Sequence, residues 1–275
     1  MRHENFGEVE IDYQLCRYGG SKILFRGPRK SLRERYVVFV GSTEFYGKNV
    51  VQPLPTLAES EINIPCVNLG CVNASVDAFL RETPLHEVCQ GSALNIVQIM
   101  GAQNMSNRFY TVHPRRNDRF AKASSVMSAI YPDVDFSQFT HTRQMLQALY
   151  SHSPERFEII QSELQMAWRA RMKSFLGAIG SHTVLLWFAE HLPSDAQLED
   201  RPDPINMDPL FITRSMVDEL RREVQGVVIA QPPAEARAAK PGPGRVTGGA
   251  LLDPVAQEAA AIAVSDAIKR ILHLK

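Results

Sequence analysis

Five short runs of apolar and β-branched residues punctuate the chain, at 36–40, 66–69, 95–100, 183–189 and Gly226–Ala230. Each is nearly continuous rather than alternating, which is the pattern of a strand covered on both faces and therefore of a parallel sheet. Between the runs the spacing turns helical. Within Pro154–Ile179 the residues Phe157, Ile160, Leu164, Trp168, Met172, Phe175 and Ile179 recur three or four apart, giving one apolar stripe with charge opposite. Ser153-Pro154 is a helix start and Gly180 a stop. Thr56-Leu57-Ala58-Glu59 reads as a capping box, in which hydroxyl and carboxylate satisfy orphan amides reciprocally. A last helix is expected to open at Asp253-Pro254 and to run to about Leu272 through Ala259, Ile262, Ala263, Ile268 and Ile271. Strand and helix thus alternate. With right-handed crossovers this predicts a three-layer α/β/α sandwich around a five-stranded, mainly parallel sheet. The stretches 191–209 and 231–249 are rich in Pro, Gly or Asp and read as loops. One domain over 1–275 is expected, with a basic N-terminal extension at 1–35 and a helical insertion at about 120–180.

Composition narrows the class. The 275 residues are 44% hydrophobic and 22% charged, and 30 Lys and Arg balance 30 Asp and Glu. That excludes a disordered or collagen-like chain and a uniformly basic nucleic-acid binder, so any affinity for anions must be local. No apolar run approaches the roughly 18 residues of a membrane span, and the N-terminal residues lack a signal-peptide core. A cytoplasmic protein with no membrane and no nucleic-acid partner is the expectation. The four cysteines, Cys16, Cys66, Cys71 and Cys89, show no zinc-type spacing, so no metal or other cofactor is implied.

In such folds ligands sit beyond the carboxyl ends of the strands. The first run ends in Gly41-Ser42-Thr43-Glu44-Phe45-Tyr46-Gly47, the second in Asn68-Leu69-Gly70-Cys71-Val72-Asn73, and the third in Gly101-Ala102-Gln103-Asn104. Glycine followed by hydroxyl or carboxamide residues makes tight turns, and it also supplies nucleophiles and oxyanion donors.

These blocks resemble the SGNH (GDSL-type) hydrolases and acyltransferases over about residues 36–107. Gly41 to Gly47 is similar to the family's first block, Asn68 to Asn73 to the second, and Gly101 to Asn104, with one extra residue, to the third. The whole chain also resembles an uncharacterised bacterial family of unknown function, through Cys16-Arg17-Tyr18-Gly19 and His113-Pro114-Arg115-Arg116-Asn117-Asp118-Arg119-Phe120. The SGNH resemblance implies Thr43 in the nucleophile slot, with Ser42 as its rival if the turn slips by one residue. It implies oxyanion donors at Gly70, Asn73 and Asn104. It also implies an Asp-x-x-His unit near the C-terminus, where this chain has Asp253-Pro254-Val255-Ala256 and no histidine.

A substitute base is sought next to the fourth run, where His191 follows it and Glu190 adjoins. Cys71 stands beside the oxyanion positions, with packing as its ordinary role. Two basic clusters remain. Arg17, Lys22, Arg26, Arg29, Lys30, Arg33 and Arg35 read as a solvated face. Arg115 and Arg116 lie nearer the active rim and would clamp an anionic group. The expected function is an esterase or acyltransferase acting on an acyl group of a carbohydrate or other polar small molecule. A binding or scaffold protein for an anionic sugar, with the fold kept and the dyad lost, is the alternative. A sugar- or sulfo-group transferase is a third possibility, without a phosphate loop to support it.

Overall fold

The computed structural model describes residues 11–114, 116–234 and 249–274. Its main sheet has five strands: β1 (Val37–Gly41), β2 (Cys66–Gly70), β3 (Leu94–Gln98), β6 (Thr183–Phe188) and β7 (Gly226–Ala230). They are ordered β2-β1-β3-β6-β7, and every neighbouring pair is parallel. The five expected runs are these five strands, with ends shifted by a residue or two. From β1 the chain crosses to β2 on one side, and then returns to place β3 on the other. The order therefore reverses between β1 and β3, where an open parallel sheet leaves a crevice.

Side chains alternate across the sheet and feed two cores. Val38, Val40, Val67, Leu69, Val97, Leu185 and Trp187 pack with α3 (Val76–Leu80), α4 (Thr83–Gln90), α6 (Thr142–His152) and α7 (Pro154–Ile179). On the other face Val37, Phe39, Leu94, Ile96, Val184 and Leu186 pack with α2 (Leu54–Ile62) and α9 (Pro254–Leu272). These are the three layers. The long helix α7 has the boundaries its periodicity predicts: Ser153 Oγ accepts the Arg156 N–H, and Gly180 closes it at φ 95°. Trp168 in its middle donates to the Met100 carbonyl at 2.8 Å, fixing α7 to the chain just after β3. Helix α9 opens on Asp253, whose carboxylate accepts the Val255 N–H at 3.0 Å.

The capping box does not form. Helix α2 begins at Leu54 with Pro55 in its first turn, so Thr56 lies inside the helix and its N–H bonds to the Pro53 carbonyl. Glu59 instead pairs with Lys30 at 2.6 Å and accepts the Cys66 N–H at 2.8 Å. Arg116, read as part of a basic cluster, opens the second strand of an antiparallel pair, β4 (Tyr110–His113) and β5 (Arg116–Ala123). Arg26 is also not on a solvated face. It is buried, and its guanidinium donates to the carbonyls of Tyr46, Gly47, Val50 and Val51 while stacking on Tyr13. The N-terminal segment thus grips the loop that follows α1 (Thr43–Tyr46). No helix among the described residues is long and apolar enough to cross a membrane.

Candidate functional site

A cleft of about 610 Å³ opens at the strand-order reversal, within the size range of small-molecule pockets. Ser42, Thr43 and Glu44 enter it from the end of β1. Asn73 comes from the loop after β2, and Gln98, Gln103 and Asn104 from the end of β3 and the turns beyond it. Four more contributors come from elsewhere in the chain. Asp118 arrives on β5, His141 from the residue that precedes α6, Arg143 from the first turn of that helix, and Asp208 from the loop between β6 and α8 (Arg214–Glu219).

Thr43, Asn73 and Asn104 meet. The Asn73 N–H donates to Thr43 Oγ1 at 2.9 Å, and that hydroxyl donates to Asn73 Oδ1 at 3.3 Å. Asn104 Nδ2 donates to the Asn73 carbonyl at 3.1 Å, while its Oδ1 accepts the Thr142 hydroxyl at 2.7 Å. Asn73 Nδ2 continues the chain to Asp118 Oδ2 at 3.0 Å. Asn73 adopts φ 56°, the left-handed region in which asparagine is among the few tolerated side chains. That backbone turns its N–H toward Thr43.

Ser42 is occupied differently. It is the residue before α1, its side chain makes no capping hydrogen bond, and its N–H donates to Gln98 Oε1 at 2.8 Å. Gln98 Nε2 then donates to Glu44 Oε2 at 2.8 Å. Part of Glu44 reaches solvent, but its carboxyl is enclosed by protein. That enclosure pushes its pKa above the usual carboxylate range, an effect opposed by Gln98 and reinforced by Asp208. Asp208 itself is held by Arg143, whose Nη2 lies 2.7 Å from both carboxylate oxygens, with Gln103 Nε2 adding a bond at 3.2 Å.

The remaining described candidates lie outside the cleft lining. Gly70 is buried, its N–H donates to Asn68 Oδ1 at 2.7 Å, and it is therefore not an available oxyanion donor. Its role is spatial: a Cβ there would stand 2.2 Å from the Tyr46 nitrogen, so only glycine lets α1 pack on the end of β2. His191 turns back onto β6. Its carbonyl accepts the Trp187 indole N–H at 2.7 Å, and its ring sits edge-on to Trp187 at 5.5 Å between centroids. Glu190 is exposed beside it. Arg116 is exposed on the hairpin, where its N–H meets His113 Nδ1 at 3.2 Å. Arg115 lies outside the described residues. Arg116 is thus not part of the cleft lining.

Cys71 packs against the core, and burial pushes its thiol up to about 11, too high for a thiolate at neutral pH. Cys16, Cys66 and Cys89 are free thiols too. Among the described residues no group of three or more His, Cys, Asp or Glu side chains is arranged to hold a metal ion.

A family model described as Domain of unknown function (DUF6473) matches residues 1–273. Among solved structures the chain is similar to the crystal structure of the lipase/acylhydrolase from Enterococcus faecalis, at 12% identity and a TM-score of 0.42, over 86% of this chain and 97% of that one. No curated protein matches. At that identity and score the chemistry of this cleft must be read from its own residues.

Proposed function

We propose, for a chain that belongs to the DUF6473 family of domains of unknown function, that the cleft recognises a small, hydroxyl-bearing molecule of the saccharide class. The carrying observation is the convergence of Thr43, Asn73 and Asn104 from three successive strand ends, through bonds of 2.9 and 3.1 Å. Hydroxyl and carboxamide groups at hydrogen-bonding distance from one another are suited to a ligand whose oxygens both donate and accept. The resemblance to SGNH proteins supports the placement, because their first, second and third blocks fall on the segments that carry these three residues.

Recognition ranks ahead of turnover for a physical reason. A threonine attacks a carbonyl only when a base takes its proton. Thr43 Oγ1 is instead engaged with Asn73 on both its accepting and its donating side, and among the described residues no imidazole or carboxylate is hydrogen-bonded to it. Where the SGNH pattern carries its Asp-x-x-His unit, Asp253 caps α9. Ester hydrolysis or acyl transfer through Thr43 is the second reading, favoured by Asp118 and His141 in the same cleft. It requires the Asn73 carboxamide to swing aside so that one of them comes within about 3.2 Å of the hydroxyl.

One experiment separates the two. Acetylated and free saccharides are titrated calorimetrically, and aryl acetates are assayed for release, with wild type, Thr43→Ala and Asn73→Gly, the last of which keeps the left-handed backbone. Recognition predicts saturable saccharide binding, weakened about tenfold in Asn73→Gly by loss of a hydrogen-bonding pair worth about 1.4 kcal/mol, and no Thr43-dependent release. Release abolished in Thr43→Ala, with a fluorophosphonate adduct at that residue, establishes the enzyme instead. Neither binding nor release overturns both.

A further inference from the structure

Thr142 borders the cleft, yet it is only 1% exposed, so a ligand has no access to its hydroxyl. That hydroxyl is spent on the site itself. It has one proton to give, which goes to Asn104 Oδ1 at 2.7 Å, and the Asp118 carbonyl stands beside it at 3.3 Å. Followed onward, the bonds return to their start. Asn104 Nδ2 donates to the Asn73 carbonyl at 3.1 Å, Asn73 Nδ2 donates to Asp118 Oδ2 at 3.0 Å, and the Asp118 main chain lies back against Thr142. The members of this ring come from four segments: the first residue of α6, the turns after β3, the loop after β2, and β5. Next to it Asn117 Nδ2 donates to Ser75 Oγ at 3.1 Å, a second tie between β5 and the loop that carries Asn73.

The ring decides which way two carboxamides face. Turning the Asn104 amide over would press its oxygen against the Asn73 carbonyl, and turning Asn73 over would press its oxygen against the Asp118 carboxylate. In the orientation that remains, Asn73 Oδ1 is left for the Thr43 hydroxyl. The same orientation leaves Asn104 Oδ1 in need of a donor, because Asn104 is 8% exposed and a buried acceptor without a partner is costly. Thr142 supplies that donor. Resting on the recognition reading above, we propose that Thr142 is a positioning residue of the cleft, acting through Asn104 on Asn73 and so on the pair that Asn73 forms with Thr43. Without its proton the Asn104 amide is expected to rotate in search of a donor, and the Asn73 carbonyl then loses its hold.

The test uses calorimetry with a glucose tetramer as probe, together with NMR of the asparagine side-chain amides, which needs no ligand. Thr142→Val keeps the branched shape and removes the proton. It is expected to bind the tetramer about fivefold more weakly than wild type, and Thr142→Ser to return within about twofold. In an Asn73→Gly background Thr142→Val should add less than about twofold, because the group it acts through is gone, whereas a merely structural loss would weaken both backgrounds alike. The Asn73 side-chain amide resonances should move in Thr142→Val and return in Thr142→Ser. Thr142→Ala, which removes the same proton, carries the same expectations if the valine variant does not fold. Unmoved Asn73 resonances, or equal losses of affinity in the two backgrounds, overturn the positioning role while the recognition reading stands. No tetramer binding by wild type counts against the recognition reading, and if the resonances are also unmoved both are overturned.

Discussion

Arg26→Met should weaken the fold and the cleft together, because this guanidinium holds the loop that carries Lys48 and Asn49 into the cleft lining. Three of its bonds are short, at 2.6 Å to Gly47, 2.7 Å to Val50 and 2.8 Å to Val51, and a fourth reaches Tyr46 at 3.3 Å. A hydrogen bond to a charged group contributes about 1.5–3 kcal/mol net, so the lower figure for three short bonds gives about 4.5 kcal/mol. Against this, burial lowers the Arg26 pKa by penalising its charged form, and methionine removes that penalty while keeping the apolar stem. A loss of about 3 kcal/mol remains, consistent with removing one partner of a buried charged contact. At about 2.1 cal/mol/K per residue, 275 residues give an unfolding entropy of about 0.6 kcal/mol/K, so Tm should fall by about 5 °C. Thermal melts followed by circular dichroism read this directly. Arg26→Lys should recover less than half, since one ammonium cannot span four carbonyls. A melt within about 1 °C of wild type, or full rescue by lysine, would show that the fork does not anchor the loop.

Gly70→Ala places a Cβ 2.2 Å from the Tyr46 nitrogen and 2.6 Å from the Phe45 carbonyl carbon, so α1 must move; the expected cost is about 1–3 kcal/mol in denaturant titrations, with a larger proportional loss of saccharide affinity because Thr43 moves with it. Wild-type affinity at lowered stability would refute that coupling. For Glu44 the pKa is raised in the native state, so above the ordinary carboxyl value of 4.5 the native chain retains a proton that the unfolded chain has lost. Stability is therefore lost as pH rises through the elevated pKa, and Glu44→Gln, which cannot titrate, should gain in relative Tm from about pH 4.5 toward neutrality. A Tm difference that is constant or shrinks over that range would contradict the enclosed carboxyl. His191→Ala should leave cleft binding within about twofold of wild type by calorimetry, since its ring packs on Trp187 instead of lining the cleft; a tenfold loss would return it to the site.

The parts of this structure that were legible in the sequence are those encoded locally. Continuous β-branched runs announce strands buried on both faces, and the apolar stripe of α7 has a single solution over its 26 residues. Thr43, Asn73 and Asn104 were accessible for the same reason, since each lies within a few residues of a strand end. The hairpin carried a weaker signal. In β4 only Tyr110 and Val112 are buried, a period-two pattern four residues long, and the arginines around it drew attention to charge instead.

The rest of the cleft is assembled by tertiary contacts that no local pattern records. Asp118 meets Asn73 across 45 residues of sequence, and Asp208 meets Arg143 across 65. His191 shows the converse. Adjacency to a strand end gave it the right rim of the sheet, but the Trp187 indole N–H draws its carbonyl back and the imidazole packs against the indole, away from the cleft. The same distinction bears on the oxyanion positions. Gly70 and Asn73 are three residues apart, yet the Gly70 N–H is consumed by Asn68 while the left-handed turn aims the Asn73 N–H at Thr43. Proximity in sequence brings such groups to one loop, and the backbone angle decides which of them faces the ligand. An alanine at 73 would disfavour φ 56°, so its effect would mix strain with a lost side chain; glycine isolates the carboxamide, and its use in the binding test follows from that geometry.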